Sequence, residues 1–146
     1  MDPIPKMDNA KYMARDFFTV ELDATAAIAP GGQQNITTTI DSDADFFWMK
    51  GCVFADVGND GTTYAANILP NLSVTITYGS TGRALSNAPV PVSSLFGVGQ
   101  LPFILPAAKY FPARSLITMI VTNPSDNVTY SSVRFSLHGV KAFLAS

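Results

Sequence analysis

The chain reads as an all-β domain: an antiparallel β-sandwich, jelly-roll-like, of about eight strands behind an N-terminal arm. Two observations predict this. Apolar residues recur with period two in segment after segment, most cleanly where Leu72, Val74, Ile76 and Tyr78 alternate with Ser73, Thr75 and Thr77. Turn clusters separate these segments: Pro30-Gly31-Gly32, Gly58-Asn59-Asp60-Gly61, Gly79-Ser80-Thr81-Gly82 and Asn123-Pro124-Ser125-Asp126-Asn127. No repeat with a period of roughly 20–50 residues is visible, so a solenoid or propeller is not expected.

Residues 1–16 hold two prolines and a mixed-charge stretch without an apolar period, and read as an arm; residues 17–146 form the sandwich domain. The first strand is Phe17 to Leu22, with Phe18, Val20 and Leu22 on one face. Gln34 to Ile40 follows, with Ile36 and Ile40 among threonines. Phe46 to Phe54 is an aromatic strand around Trp48, with Gly51 as the expected bulge. Leu72 to Tyr78 buries one face and leaves a ladder of hydroxyls on the other. Ala88 to Pro112 holds five prolines, so no helix or central strand runs through it. Its many apolar residues make it an ordered connection packed on something. Leu116 to Thr122 is apolar on both faces and reads as a central strand. Val133 to His138 and Val140 to Leu144 close the chain, with a bulge expected at Gly139.

Composition narrows the function. The chain has 146 residues, enough for one domain with a real core. Apolar residues make up 47% and charged ones only 14%, which suits a subunit of an assembly better than a free monomer. A net charge of −2 without a basic tract argues against nucleic acid. No apolar run approaches a membrane span, and Met1 to Lys6 lacks the apolar core of a secretory signal, so synthesis in a cytoplasm is expected. On that reading the sequons at Asn35, Asn71 and Asn127 are chance matches.

The catalytic inventory is thin: one histidine (His138), one cysteine (Cys52) and one glutamate (Glu21). His138 shares a strand face with Arg134 and Ser136 and reads as a surface or satisfied histidine. Cys52 lies in an apolar run and reads as a buried small hydrophobe. Asp41-Ser42-Asp43-Ala44-Asp45 looks like the start of a calcium loop, yet the glycine and the acidic ligand of an EF-hand are replaced by Phe46 and Cys52. A different loop site, helped by Asp56 or Asp60, stays open; the plain reading is a solvated acidic turn. Phe96-Gly97-Val98-Gly99 lacks the third glycine and the helix of a phosphate loop. No catalytic residue, metal or cofactor is therefore assigned. Trp48, Phe46 and Phe47 suit a core better than a sugar platform. Contact residues are sought at Tyr12 in the arm and at Leu95, Phe96, Leu101, Phe103, Tyr110 and Phe111, aromatic or apolar positions in the Ala88 to Pro112 connection.

Residues 46 to 143 resemble the small jelly-roll cement, or decoration, proteins on the capsids of tailed bacteriophages. The resemblance is carried by Phe47-Trp48-Met49-Lys50-Gly51, Leu72 to Tyr78, and the turn Gly82-Arg83-Ala84-Leu85-Ser86-Asn87. Pro89-Val90-Pro91, Phe96-Gly97, Pro102-Phe103, Phe111 to Leu116 and Leu137-His138-Gly139-Val140-Lys141-Ala142-Phe143 complete it. It implies a non-enzymatic virion protein on the capsid's outer surface, made in the host cytoplasm. Such a protein bridges neighbouring major capsid subunits, with the arm and the Ala88 to Pro112 connection as contact surfaces. Self-association as a dimer or trimer fits the same picture. The rival readings are a receptor- or carbohydrate-binding module of a fibre or spike, which needs exposed aromatics, and an enzyme, which needs His138 in a cleft with a serine and a carboxylate.

Overall fold

The computed structural model describes residues 12–57, 71–79, 82–98, 101–126 and 128–144. Nine strands follow in order: β1 (Tyr12–Asp23), β2 (Gln33–Thr39), β3 (Ala44–Val57), β4 (Ser73–Tyr78), β5 (Arg83–Ala84), β6 (Val90–Pro91), β7 (Phe103–Phe111), β8 (Leu116–Thr122) and β9 (Tyr130–Leu144). The one helical element among the described residues is a 3-10 turn at Val92–Ser94. The strands pair antiparallel in two sheets, β1-β9-β3-β7 and β2-β8-β4-β5, with β6 also on β4.

β5 and β6 pair with opposite ends of β4 along one edge and together act as one interrupted strand. Counted so, eight strands lie in the orders 1-8-3-6 and 2-7-4-5. Every connection but the one into β5 passes from one sheet to the other. This is the double Greek-key winding of a jelly roll. β1 begins at Tyr12, opposite Leu144, so residues 12–16 of the expected arm belong to the sheet. Residues 1–11, and the hairpin turn expected at Gly58 to Gly61, lie outside the described residues.

Inward positions of both sheets merge into one core. β4 and β8 supply Val74, Ile76, Ile117, Met119 and Val121, each at most 1% exposed. The opposite sheet supplies rings. Trp48 stacks between Phe96 (5.8 Å) and Phe111 (6.4 Å), and Phe96 meets Phe135 edge-on at 4.9 Å. The Trp48 indole N–H donates to the Lys50 carbonyl at 2.7 Å, so the largest buried side chain carries no unmet donor. Burying such a ring stabilises by about 3 kcal/mol.

The bulge falls at Met49, not at Gly51. β3 passes from Trp48 to Lys50 while β9 passes from Gly139 to His138, and β7 gives four residues (Leu105–Ala108) to the same step. Gly139 sits at this irregularity because the paired β3 backbone closes on it there: a methyl group would overlap the Phe47 carbonyl. Gly51 lacks a side chain for another reason. A Cβ there would lie 2.8 Å from both Phe96 Cδ1 and the Leu95 carbonyl, so its bareness admits the Phe96 ring.

The Ala88 to Pro112 stretch is more than a connection. It contains β6, the 3-10 turn and all of β7. Pro106 is tolerated because β7 is an edge strand, and Pro106 lies where the ladder is already broken. Asn123, expected as a turn residue, is fully buried and ties loops at one end of the sandwich. Its Nδ2 donates to the carbonyls of Ile28 (3.1 Å) and Val128 (2.7 Å), and its Oδ1 accepts from the Ser125 amide and hydroxyl.

Candidate docking surface

The two outer faces of the sandwich differ in chemistry. On β2-β8-β4-β5 the strand pleat turns alternate residues out. β2 presents Gln33, Asn35, Thr37 and Thr39. β8 beside it presents Leu116, Thr118, Ile120 and Thr122, in register with them. β4 adds Ser73, Thr75 and Thr77, and the edge strands add Ala84 and Pro91. None of these side chains is ionisable. Thr37, Thr118 and Thr77 form one row across three strands, and Asn35, Ile120 and Thr75 form the next. The register runs unbroken through all the pairings of this sheet, so the face carries no bulge. Gln33 Nε2 donates to Thr122 Oγ1 at 3.2 Å. Leu116, 46% exposed, adds an apolar contact at one end.

Such a face can donate and accept hydrogen bonds everywhere and strips no ion of its water when covered. It suits a partner surface that is itself neutral, and its contacts should be nearly independent of salt.

The outer face of β1-β9-β3-β7 is charged and irregular. Asp23 pairs with Arg134 at 3.4 Å, and the Ser136 hydroxyl donates to Glu21. Thr19 Oγ1 lies 2.9 Å from His138 Nδ1, and Phe17, 75% exposed, stacks on the imidazole at 6.2 Å. His138, Ser136 and Glu21 thus share a face, but among the described residues no serine–histidine hydrogen bond forms. Ser136 is joined to the carboxylate directly, and the imidazole to a threonine. Cys52 lies on this face beside the Gly97 bridge to β3, and the Val98 carbonyl accepts from its Sγ at 3.6 Å. Burial, and secondarily the Glu21 charge, push its thiol above the ordinary range, which keeps it protonated and a poor nucleophile.

The aspartates of the 41–45 loop have partners. Lys141 Nζ reaches Asp41 at 2.8 Å and Asp43 at 3.7 Å, and lies 4.6 Å from the Phe18 ring centroid. The hydrogen bond to Asp41 is the main cause of a raised lysine pKa. Asp45 is buried and accepts from Tyr110 Oη (3.0 Å) and the Ala113 amide (2.7 Å). Among the described residues no three His, Cys, Asp or Glu side chains gather as a metal ion would require.

The contact residues sought in the sequence scatter. Phe96 and Phe111 are fully buried in the core and are corrected to packing residues: a ring with no exposed surface cannot touch a partner. Leu95 and Phe103 are half-buried, and Leu95 packs against the core. Tyr110, half-buried, packs on Phe47 at 5.2 Å. Tyr12 is fixed by its backbone pairing at the start of β1. Leu101 is 78% exposed, beside Ile104 at 67%. Trp48, Phe46 and Phe47 are all buried, so none can serve as a sugar platform. What sequence reading missed is the neutral face of this sheet. The hydroxyl ladder of β4 was legible, but its union with Thr37, Thr39, Thr118 and Thr122 comes only from strand order.

No protein-family model matches the chain, and no curated protein matches it in sequence. Among solved structures, the chain has a remote likeness to the infectious bursal disease virus VP2 subviral particle. The match has 10% identity and a TM-score of 0.33 and covers 99% of this chain and 43% of that one. The chain thus spans less than half the length of that VP2 chain.

Proposed function

We propose that this chain is a non-enzymatic virion structural protein. It docks on the outside of a tailed-phage capsid and bridges neighbouring major capsid subunits, adding strength to the shell. The observation that carries the reading is the bulge-free outer face of β2-β8-β4-β5, whose described outward side chains include no ionisable group. A free surface gains solubility from charge, and a whole sheet face without any suits burial against another protein. The sequence resemblance over residues 46 to 143 supplies the phage shell as that partner. Modest contacts suffice there, because each further contact forms at high effective concentration.

The test is co-sedimentation with capsid shells lacking the protein. The expected result is binding at a fixed stoichiometry that changes little between low and moderately high salt and is lost in Thr118→Glu. Deleting residues 1–11, which stops short of β1, reads the contribution of the arm. Failure to bind shells, or binding that persists in Thr118→Glu and collapses with salt, would overturn the reading.

A further inference from the structure

We infer that β1 is a self-association edge, across which a second copy of this chain adds its own β1 antiparallel about a two-fold axis at Phe18. β1 is 12 residues long and pairs with β9 from Tyr12 to Asp23. It ends the sheet, so among the described residues no strand pairs with its other side. The Ala24 amide donates to the Val133 carbonyl next to the Asp23↔Arg134 pair. By the alternation of an antiparallel ladder, Leu22, Val20, Phe18 and Asp16 therefore bond toward β9. Glu21, Thr19, Phe17 and Arg15 turn their N–H and C=O groups to the open edge.

The other edges are blunted or bland. The β5/β6 edge is interrupted between Ala84 and Val90 and carries Pro91, and β7 is broken around Pro106. β2 is shorter and carries no charge along its length. β1 instead has a long ladder and, in Phe17, an aromatic ring 75% exposed.

Two registers set Arg15 against an acid of the second copy, Glu21 with the axis at Phe18 or Asp23 with it at Thr19; Asp23 is already paired with Arg134, which favours the axis at Phe18. With Phe18 on the axis, Arg15 stands opposite Glu21 of the second copy, and Glu21 opposite its Arg15. Phe17 faces Thr19, and the two Phe18 residues face each other, each 37% exposed in the single chain. The outward side chains are then matched in face as well as charge, as cross-strand pairs require. Glu21 already accepts from Ser136, which holds its carboxylate on the outer face where Arg15 would meet it. The joined sheet would run β7-β3-β9-β1 into the same order reversed, leaving the neutral face of each copy uncovered. A dimer of this kind forms whether or not that face meets a shell.

Sedimentation equilibrium of the full chain tests it. The wild type should dimerise, and Glu21→Arg or Arg15→Glu alone should weaken the dimer about tenfold by setting like charges opposite each other. The double exchange Arg15→Glu with Glu21→Arg should recover most of the loss. Amide exchange on the wild type reads the same edge without a substitution: Phe17, Thr19 and Glu21 should be protected where the dimer is populated and exchange fast on dilution. A chain that stays monomeric at high concentration would overturn the inference. So would a dimer indifferent to both single changes, or one that leaves those amides fast-exchanging.

Discussion

The two sheets of this sandwich share one core and differ outside it. β1-β9-β3-β7 carries the charges, the bulge at Met49, the Val98 contact with Cys52 and the close backbone approach at Gly139. β2-β8-β4-β5 is regular in register and neutral outward. A jelly roll needs only inward apolar residues and a workable winding, so the outer faces are free to diverge. One is occupied by local packing and ion pairs; the other is left plain. That asymmetry, among the described residues, is the observation on which the proposed docking role rests.

The comparison is broken most severely on the irregular sheet. Gly139→Val would drive a branched side chain into the Phe47 backbone and should cost on the order of 3 kcal/mol or more, read as a lowered midpoint in urea denaturation. On the regular sheet, Thr75→Glu points to solvent between Asn35–Ile120 and the β4 edge and should cost no more than about 1 kcal/mol while still abolishing shell binding. Equal destabilisation by the two changes would erase the distinction between a packed face and a docking face.

The finest probe is Cys52. Its pKa is raised, so the folded state favours the neutral thiol. The stability this gives is fully present below the ordinary thiol range and is lost as pH climbs through the raised value. Stability should therefore fall with pH above about pH 8.5, and Cys52→Ala should show a shallower slope in thermal melts across that range. An unchanged slope would place the alkaline loss elsewhere.

Much of this fold was legible because period two survives wherever one sheet face is wet. Leu72 to Tyr78 and Leu116 to Thr122 were readable nearly to the residue. β7 was hidden by Pro106, whose effect on a central strand differs from its effect on an edge, a distinction that needs strand order. Gly51 and Gly139 both suggested bulges, but only the neighbour across the ladder separates a bulge from a cradle for Phe96. Phe96 and Phe111 looked like contacts because they lie in the Ala88 to Pro112 connection, and there the chain folds back into the core. The neutral face draws on strands far apart in the chain, so no single window of sequence contains it.

The pairing of β1 with β9 also sets the tempo of folding. Thr19 and His138 meet across a sequence separation of 119. On a ribosome, β1 emerges early and has no partner until β9 has been made. Such long-range closure makes folding slow, because β1 cannot be closed into its sheet before β9 has been made. In that interval Val20 and Leu22 are unburied and both edges of β1 are open. Arg15, Asp16, Glu21 and Asp23, spaced along the strand, penalise stacking in registers that set like charges together. A strand that waits so long for its neighbour needs its charges before it needs its partner.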